Sequence, residues 1–164
     1  AEMARVVAES HAPVVLMHNR SKSDRVQVQG NLGGTYLGAE YRNFLAEVKA
    51  ELMQSVSLAK DAGVEDKQII LDPGLGFGKS REQNLELVNH LDEIKALGYP
   101  VLLGPSRKSF IGYTLNLPPD QRVEGTAAVC AVGIVRGADI LRVHDVEAIV
   151  RTARMTDAIV RTAQ

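Results

Sequence analysis

Several features that would each point to a class of protein are scarce in this chain. Cys130 is its only cysteine, so a disulfide framework and a cysteine-built zinc site are both excluded by count, and a reducing cytoplasm is the expected compartment. No stretch approaches the 18 or so uninterrupted apolar residues of a membrane span, and the first residues show neither the basic region nor the apolar core of a secretion signal. Charge of one sign is not in excess either. With 19 Lys and Arg against 20 Asp and Glu the formal net charge is -1, which leaves no basic field for nucleic acid or an anionic membrane. What is present is an ordinary globular composition: 164 residues, 45% hydrophobic and 24% charged, enough for one compact unit with a real core. Met3, Val6 and Val7 recur at helical spacing from the outset, so the chain is expected to enter in mid-helix, as a fragment or processed product would.

Four short apolar runs read as strands: Val14 to Met17, Ile69 to Leu71, Val101 to Leu103 and Ile140 to Val143. Being continuous rather than alternating, they are expected to be covered by helices on both faces. Between them, amphipathic patterns predict helices over about 38–62, 82–97, 123–136 and 145–162, with Gly63, Gly98 and Gly137 as stops. This β-α alternation predicts parallel strands with right-handed crossovers, in an α/β barrel or a doubly wound sheet. Strand starts at 14, 69, 101 and 140 give units close to the roughly 31 residues per unit of a (β/α)₈ barrel, apart from one long loop. The expectation is therefore a single α/β domain over 1–164, four βα units forming half of a TIM barrel. The polar, glycine-rich stretch 21–37 has no convincing element of its own and reads either as a flexible functional loop or as disorder.

Parallel α/β folds bind ligands at the carboxyl ends of their strands. Here those ends read Met17-His18-Asn19-Arg20, Asp72-Pro73-Gly74-Leu75-Gly76-Phe77-Gly78-Lys79, Gly104-Pro105-Ser106-Arg107-Lys108-Ser109 and Arg142-Val143-His144-Asp145. Asp72, Lys108, Arg142 and His144 thus converge on one rim. Plainer readings stand beside each. Asp72 is well suited merely to start a turn; a serine of the Ser106–Ser109 segment can be an ordinary helix N-cap, and its basic pair solvated surface. The glycines have the wrong spacing for a dinucleotide fingerprint; they suit close backbone approach at positive φ, leaving Phe77 exposed as a flat apolar wall. Arg142, inside an apolar strand sequence, is expected to face an anion or carboxylate, because buried arginine is almost always paired. His144, two residues on, points the same way.

Read in order, the four segments, with Asn84 after the glycine loop and Gly125-Thr126 opening the next helix, resemble the C-terminal half of the dihydropteroate synthase family over nearly the whole chain. The resemblance implies a transferase of folate biosynthesis, the sulfonamide target. It condenses 6-hydroxymethyl-7,8-dihydropterin pyrophosphate with p-aminobenzoate to dihydropteroate and pyrophosphate, with SN1-like character and no obvious general base. It implies that Asp72 and Lys108 are the catalytic pair that binds the pterin edge. Met17 and Gly104 would line the pterin slot, Phe77 and Ser109 meet the aminobenzoate, and Arg142 and His144 hold the leaving pyrophosphate. Magnesium would accompany the pyrophosphate, with its ligand residue outside this chain, and a homodimer would form, either through the last two helices or by two half-barrels closing edge to edge. Asn19 departs from the family's frequent Met-His-Met, leaving a role for Arg20 open, and Pro105 replaces a small or apolar residue. The family's first four strands are absent, so the chain alone is expected to be inactive. Two other readings stay in view: a pterin-binding methyltransferase, against which a pyrophosphate-holding Arg-x-His argues, and an inactive binding remnant.

Overall fold

The computed structural model describes residues 2–22, 26–28, 30–36 and 39–161. Helix α1 (Glu2–Ser10) leads into strand β1 (Val14–Met17). A short antiparallel pair follows, β2 (Val26–Val28) with β3 (Gly34–Tyr36), around a 3-10 turn at Gly30–Leu32. Then come α2 (Phe44–Asp61), β4 (Ile69–Asp72), α3 (Arg81–Asn89), α4 (Leu91–Lys95), β5 (Leu102–Leu103), α5 (Ser109–Leu115), α6 (Val123–Val135), β6 (Ile140–Leu141) and α7 (Val146–Val160). β1 runs parallel to β4, β4 is bridged in parallel to the β5 segment at Leu71–Val101, and β5 is parallel to β6. The predicted alternation is therefore an α/β fold with four parallel strands in chain order, and their carboxyl ends emerge together.

The core lies on one side of these strands. Val48, Leu52 and Val56 of α2, Leu87 of α3, Leu91 and Ile94 of α4, and Ile69, Leu71, Val101 and Leu103 of the strand segments are all essentially buried. At about 25 cal/mol per Å², full burial of each such side chain contributes on the order of 2 kcal/mol. The other face is not covered as expected. β1 alternates between half-buried and exposed although all four residues are apolar, with Val15 43% and Met17 40% exposed. Continuous hydrophobicity was a sound sign of strand but not of two covering layers within this chain.

Three further expectations need correction. The 21–37 stretch does hold elements, the β2–β3 pair and the intervening turn; residues 23–25, 29 and 37 of it lie outside the described residues. The second predicted helix is two, broken where His90 leaves helical geometry at φ -115; Leu87, Leu91 and Ile94 stay in helical register across the break, so periodicity could not show it. α2 starts at Phe44, not near 38, because Asn43 caps it by accepting the Ala46 N–H at 3.3 Å. The predicted end of the last helix, Thr162, lies outside the described residues.

Candidate active site

Asp72 ends β4 directly opposite Met17, the last residue of β1, so both project from the uncovered face. The turn reading of Asp72 is correct as far as it goes: Oδ1 accepts the Gly74 N–H at 2.7 Å. That is the one hydrogen bond to this carboxylate among the described residues, and Oδ2 remains for a ligand. Burial raises the Asp72 pKa, opposed by the Gly74 N–H and then by Lys108, Lys79 and Arg142.

The following loop turns through positive φ at Gly74, Gly76 and Gly78 (71, 79 and 64°). A Cβ on Gly76 would lie 2.9 Å from Cδ of Lys108, and one on Gly74 only 1.9 Å from the His18 carbonyl oxygen. Bare backbone therefore lets Lys108 lie across the loop, where Nζ donates to the Leu75 carbonyl and sits 4.1 Å from the centroid of the Phe77 ring. Phe77 is thus half-buried under an ammonium rather than an exposed wall. Burial brings the Lys108 pKa down to about 8, against the pull of the Asp72 charge and with that of Arg142.

Beneath the loop sits a residue to which sequence reasoning gave no role. Lys79 is 1% exposed, and Nζ finds three acceptors: the Gly74 carbonyl at 2.9 Å, the Phe77 carbonyl at 3.2 Å and His18 Nδ1 at 2.9 Å. A charged Lys79 uses all three N–H donors here and fixes His18 as the Nε2–H tautomer. Nε2 lies 3.1 Å from Glu51 Oε2, in contact but not aligned as a hydrogen bond. Burial pushes Lys79 down to about 7, with Asp72 opposing. Burial, reinforced by Lys79, pushes His18 down to about 4. Asn84 pins the loop from the other side, accepting the Gly76 N–H at 2.6 Å and donating to the Ser80 carbonyl at 2.7 Å. Arg20, whose role was open, binds Glu47 at 2.8 Å and Glu51, and lies 4.3 Å from the Tyr41 ring centroid. It ties the end of β1 to α2.

On the other two strands, Ser106 is no N-cap. Its buried hydroxyl meets His144 twice, accepting the backbone N–H at 3.1 Å and contacting Nδ1 at 2.8 Å, which fixes the imidazole. α5 opens at Ser109 after Lys108 in extended geometry. Arg107 forks onto Asp145 at 2.9 and 2.5 Å, linking the two loops. A Cβ on Gly104 would meet nothing nearer than the Arg142 carbonyl oxygen at 4.0 Å, so the clearance there lies toward open space. Arg142 is not part of a buried strand and faces no carboxylate, contrary to expectation: β6 ends at Leu141, and Arg142 is exposed with no side-chain hydrogen bond or ion pair among the described residues. It nonetheless acts electrostatically on both Asp72 and Lys108. Met17, Asp72, Phe77, Lys108 and Arg142 therefore share one rim, with His144 held beside it by Ser106.

The arrangement is a cationic, half-enclosed rim with one carboxylate, an aromatic ring and a free methionine, suited to a planar heterocycle with an anionic tail. The chain belongs to the pterin-binding enzyme family, which it matches over residues 1–144. It is 49% identical over 161 residues to the dihydropteroate synthase of Clostridium beijerinckii, covering 98% of this chain and 54% of that protein. It is 47% identical to that of Bacillus subtilis, covering 96% and 50%. Among solved structures, a dihydropteroate synthase from Clostridium difficile with pteroic acid superposes with a TM-score of 0.84 at 43% identity, covering 98% of this chain and 55% of that one. The Yersinia pestis enzyme in a sulfonamide complex gives 0.87 at 32%, covering 99% and 56%. The chain thus spans about half the length of the relatives it matches.

Proposed function

We propose that the chain supplies half of the site of a dihydropteroate synthase, its four βα units being half of a (β/α)₈ barrel whose interior is the uncovered face of β1 and β4. The observation that carries the reading is the convergence of Asp72, Lys108 and Phe77 on that face. Asp72 Oδ2 accepts from the amino-pyrimidine edge of the pterin, and Lys108 donates to its carbonyl and ring nitrogen. Met17 and Gly104 bound the slot. Phe77 packs on the aminobenzoate ring and Ser109 meets its carboxylate. Arg142, exposed and without an ion pair among the described residues, and His144, held by Ser106, take the pyrophosphate.

The chemistry these residues favour is charge separation. The pterin methylene C–O bond breaks with its electron pair leaving on pyrophosphate, the arylamine nitrogen forms the new C–N bond, and its proton departs to solvent or phosphate. Lys108 and Arg142 stabilise the leaving group's charge, and Asp72 faces the developing pterin cation. Magnesium accompanying the pyrophosphate would draw its protein ligand from outside this chain. No step above passes through it. Among the described residues no helix is long and apolar enough to cross a membrane, and the exposed Val132 and Val135 of α6 supply an apolar face for a homodimer. The test is turnover. The complete protein carrying this chain should convert the pterin pyrophosphate and p-aminobenzoate to dihydropteroate with equimolar pyrophosphate. Lys108→Ala should abolish this, and unimpaired turnover by that variant overturns the reading.

A further inference from the structure

Arg122 is a buried cation, 2% exposed, yet no carboxylate forms an ion pair with it among the described residues. Its guanidinium is spent on three main-chain carbonyls from three separate segments. Nη2 donates to Leu32 at 2.8 Å, in the turn between β2 and β3; Nη1 donates to Arg107 at 2.9 Å; Nε donates to Leu117 at 3.0 Å. The group rests against Gly112 of α5, where a Cβ would lie 2.1 Å from Nη2. Burying an arginine without a counter-charge is costly, and what it secures here is a strained turn. Arg107 has φ +54, a left-handed conformation that strains a non-glycine residue. Both its main-chain polar groups are clamped: the carbonyl by Arg122, and the N–H by Thr126 Oγ1 at 3.0 Å. Thr126 is fully buried and itself donates to the Arg122 carbonyl at 2.8 Å. The residue after the clamped turn is Lys108. The same guanidinium grips Leu32, and the Tyr113 hydroxyl of α5 donates to the neighbouring Gly33 carbonyl at 3.1 Å.

We infer that Arg122 is a positioning residue that holds the left-handed turn at Arg107, and with it the Lys108 ammonium, and couples that turn to the Leu32–Gly33 segment of the long β1–α2 connection. It touches no substrate. The importance of Lys108 rests on the functional reading above; the coupling does not.

The test uses the complete protein with Arg122→Lys, which keeps the charge but cannot span three carbonyls. Amide hydrogen exchange should accelerate about ten-fold or more at both the Leu32–Gly33 segment and the Ser106–Ser109 turn, and kcat/KM should fall about 10- to 100-fold. Adding Arg107→Gly, which adopts φ +54 without a clamp, should recover at least five-fold of that activity and slow exchange at the turn while the Leu32–Gly33 segment stays fast. Acceleration at only one segment overturns the coupling. A double variant no better than Arg122→Lys overturns the clamp. If Arg122→Lys does not fold, Thr126→Val decides the clamp, because it frees the Arg107 N–H while the Arg122 carbonyl keeps the Thr126 backbone N–H at 2.9 Å: exchange should rise at the turn alone, with the same rescue by Arg107→Gly, and no rise or no rescue overturns the proposal. A wild-type protein that does not turn over the pterin pyrophosphate defeats the functional reading, while the exchange results still judge the coupling.

Discussion

Lys79→Met tests the buried lysine beneath the glycine loop. Methionine fills nearly the same volume without charge or donors, so the difference between the two proteins isolates the ammonium. Burial brings the Lys79 pKa from 10.5 down to about 7, so the folded state sheds a proton that the unfolded chain keeps. Below pH 7 both states are protonated and this group leaves stability independent of pH. As pH rises through 7 the unfolded state binds more protons than the folded one, so stability climbs by up to about 1.4 kcal/mol per pH unit until the unfolded lysine titrates. From pH 7 to 9 the wild-type protein should therefore gain about 2 kcal/mol over the Met variant. Lys108, brought down to about 8, titrates in the same window but is present in both proteins and cancels to first order. Urea unfolding followed by circular dichroism at pH 6, 7, 8 and 9 measures the difference. If it stays constant within about 0.5 kcal/mol from pH 7 to 9, Lys79 keeps its proton and burial does not dominate its environment.

Asp72→Ala and Lys108→Ala should each weaken binding of the pterin pyrophosphate by about 2–4 kcal/mol, since each leaves a partly buried polar partner unpaired; near-wild-type affinity by titration calorimetry for either would exclude it from the pterin site. Ser106→Ala removes the brace on His144 and should weaken pyrophosphate binding about five-fold, roughly 1 kcal/mol, with p-aminobenzoate affinity unchanged. Equal losses for both ligands would show a general distortion instead. Val132→Arg places a charge on the apolar face of α6, and light scattering should show a wild-type dimer become monomeric; a variant that remains dimeric moves the interface elsewhere.

The parallel strands and all four of their terminal motifs were legible because both signals are local: runs of Val, Ile and Leu, and polar residues at the points where they stop. Failures came where a property depends on what lies across space. That Met17 and Val15 face an uncovered side depends on what packs against the strand, not on their own hydrophobicity. The β2–β3 pair escaped notice because three-residue strands in a glycine-rich stretch carry too few side chains for a period to register. Lys79 and Arg122 look like any surface cations in sequence; only the fold reveals that main-chain carbonyls surround them. Arg142 was read correctly as a rim residue through a mistaken premise, that the strand continued past Leu141.

The loop from Asp72 to Lys79 is locked on every side. Gly74 and Gly78 abut the backbone of residues 18 and 20 without room for a methyl group, Lys79 ties two of its carbonyls from below, and Asn84 holds Gly76 from α3. A ligand arriving over it meets a wall whose backbone has little freedom left to lose, so association there costs little conformational entropy. Whatever adjustment recognition requires must come from elsewhere on the rim, and the residues with room to give are Met17 and Arg142, the two whose side chains the protein leaves least committed.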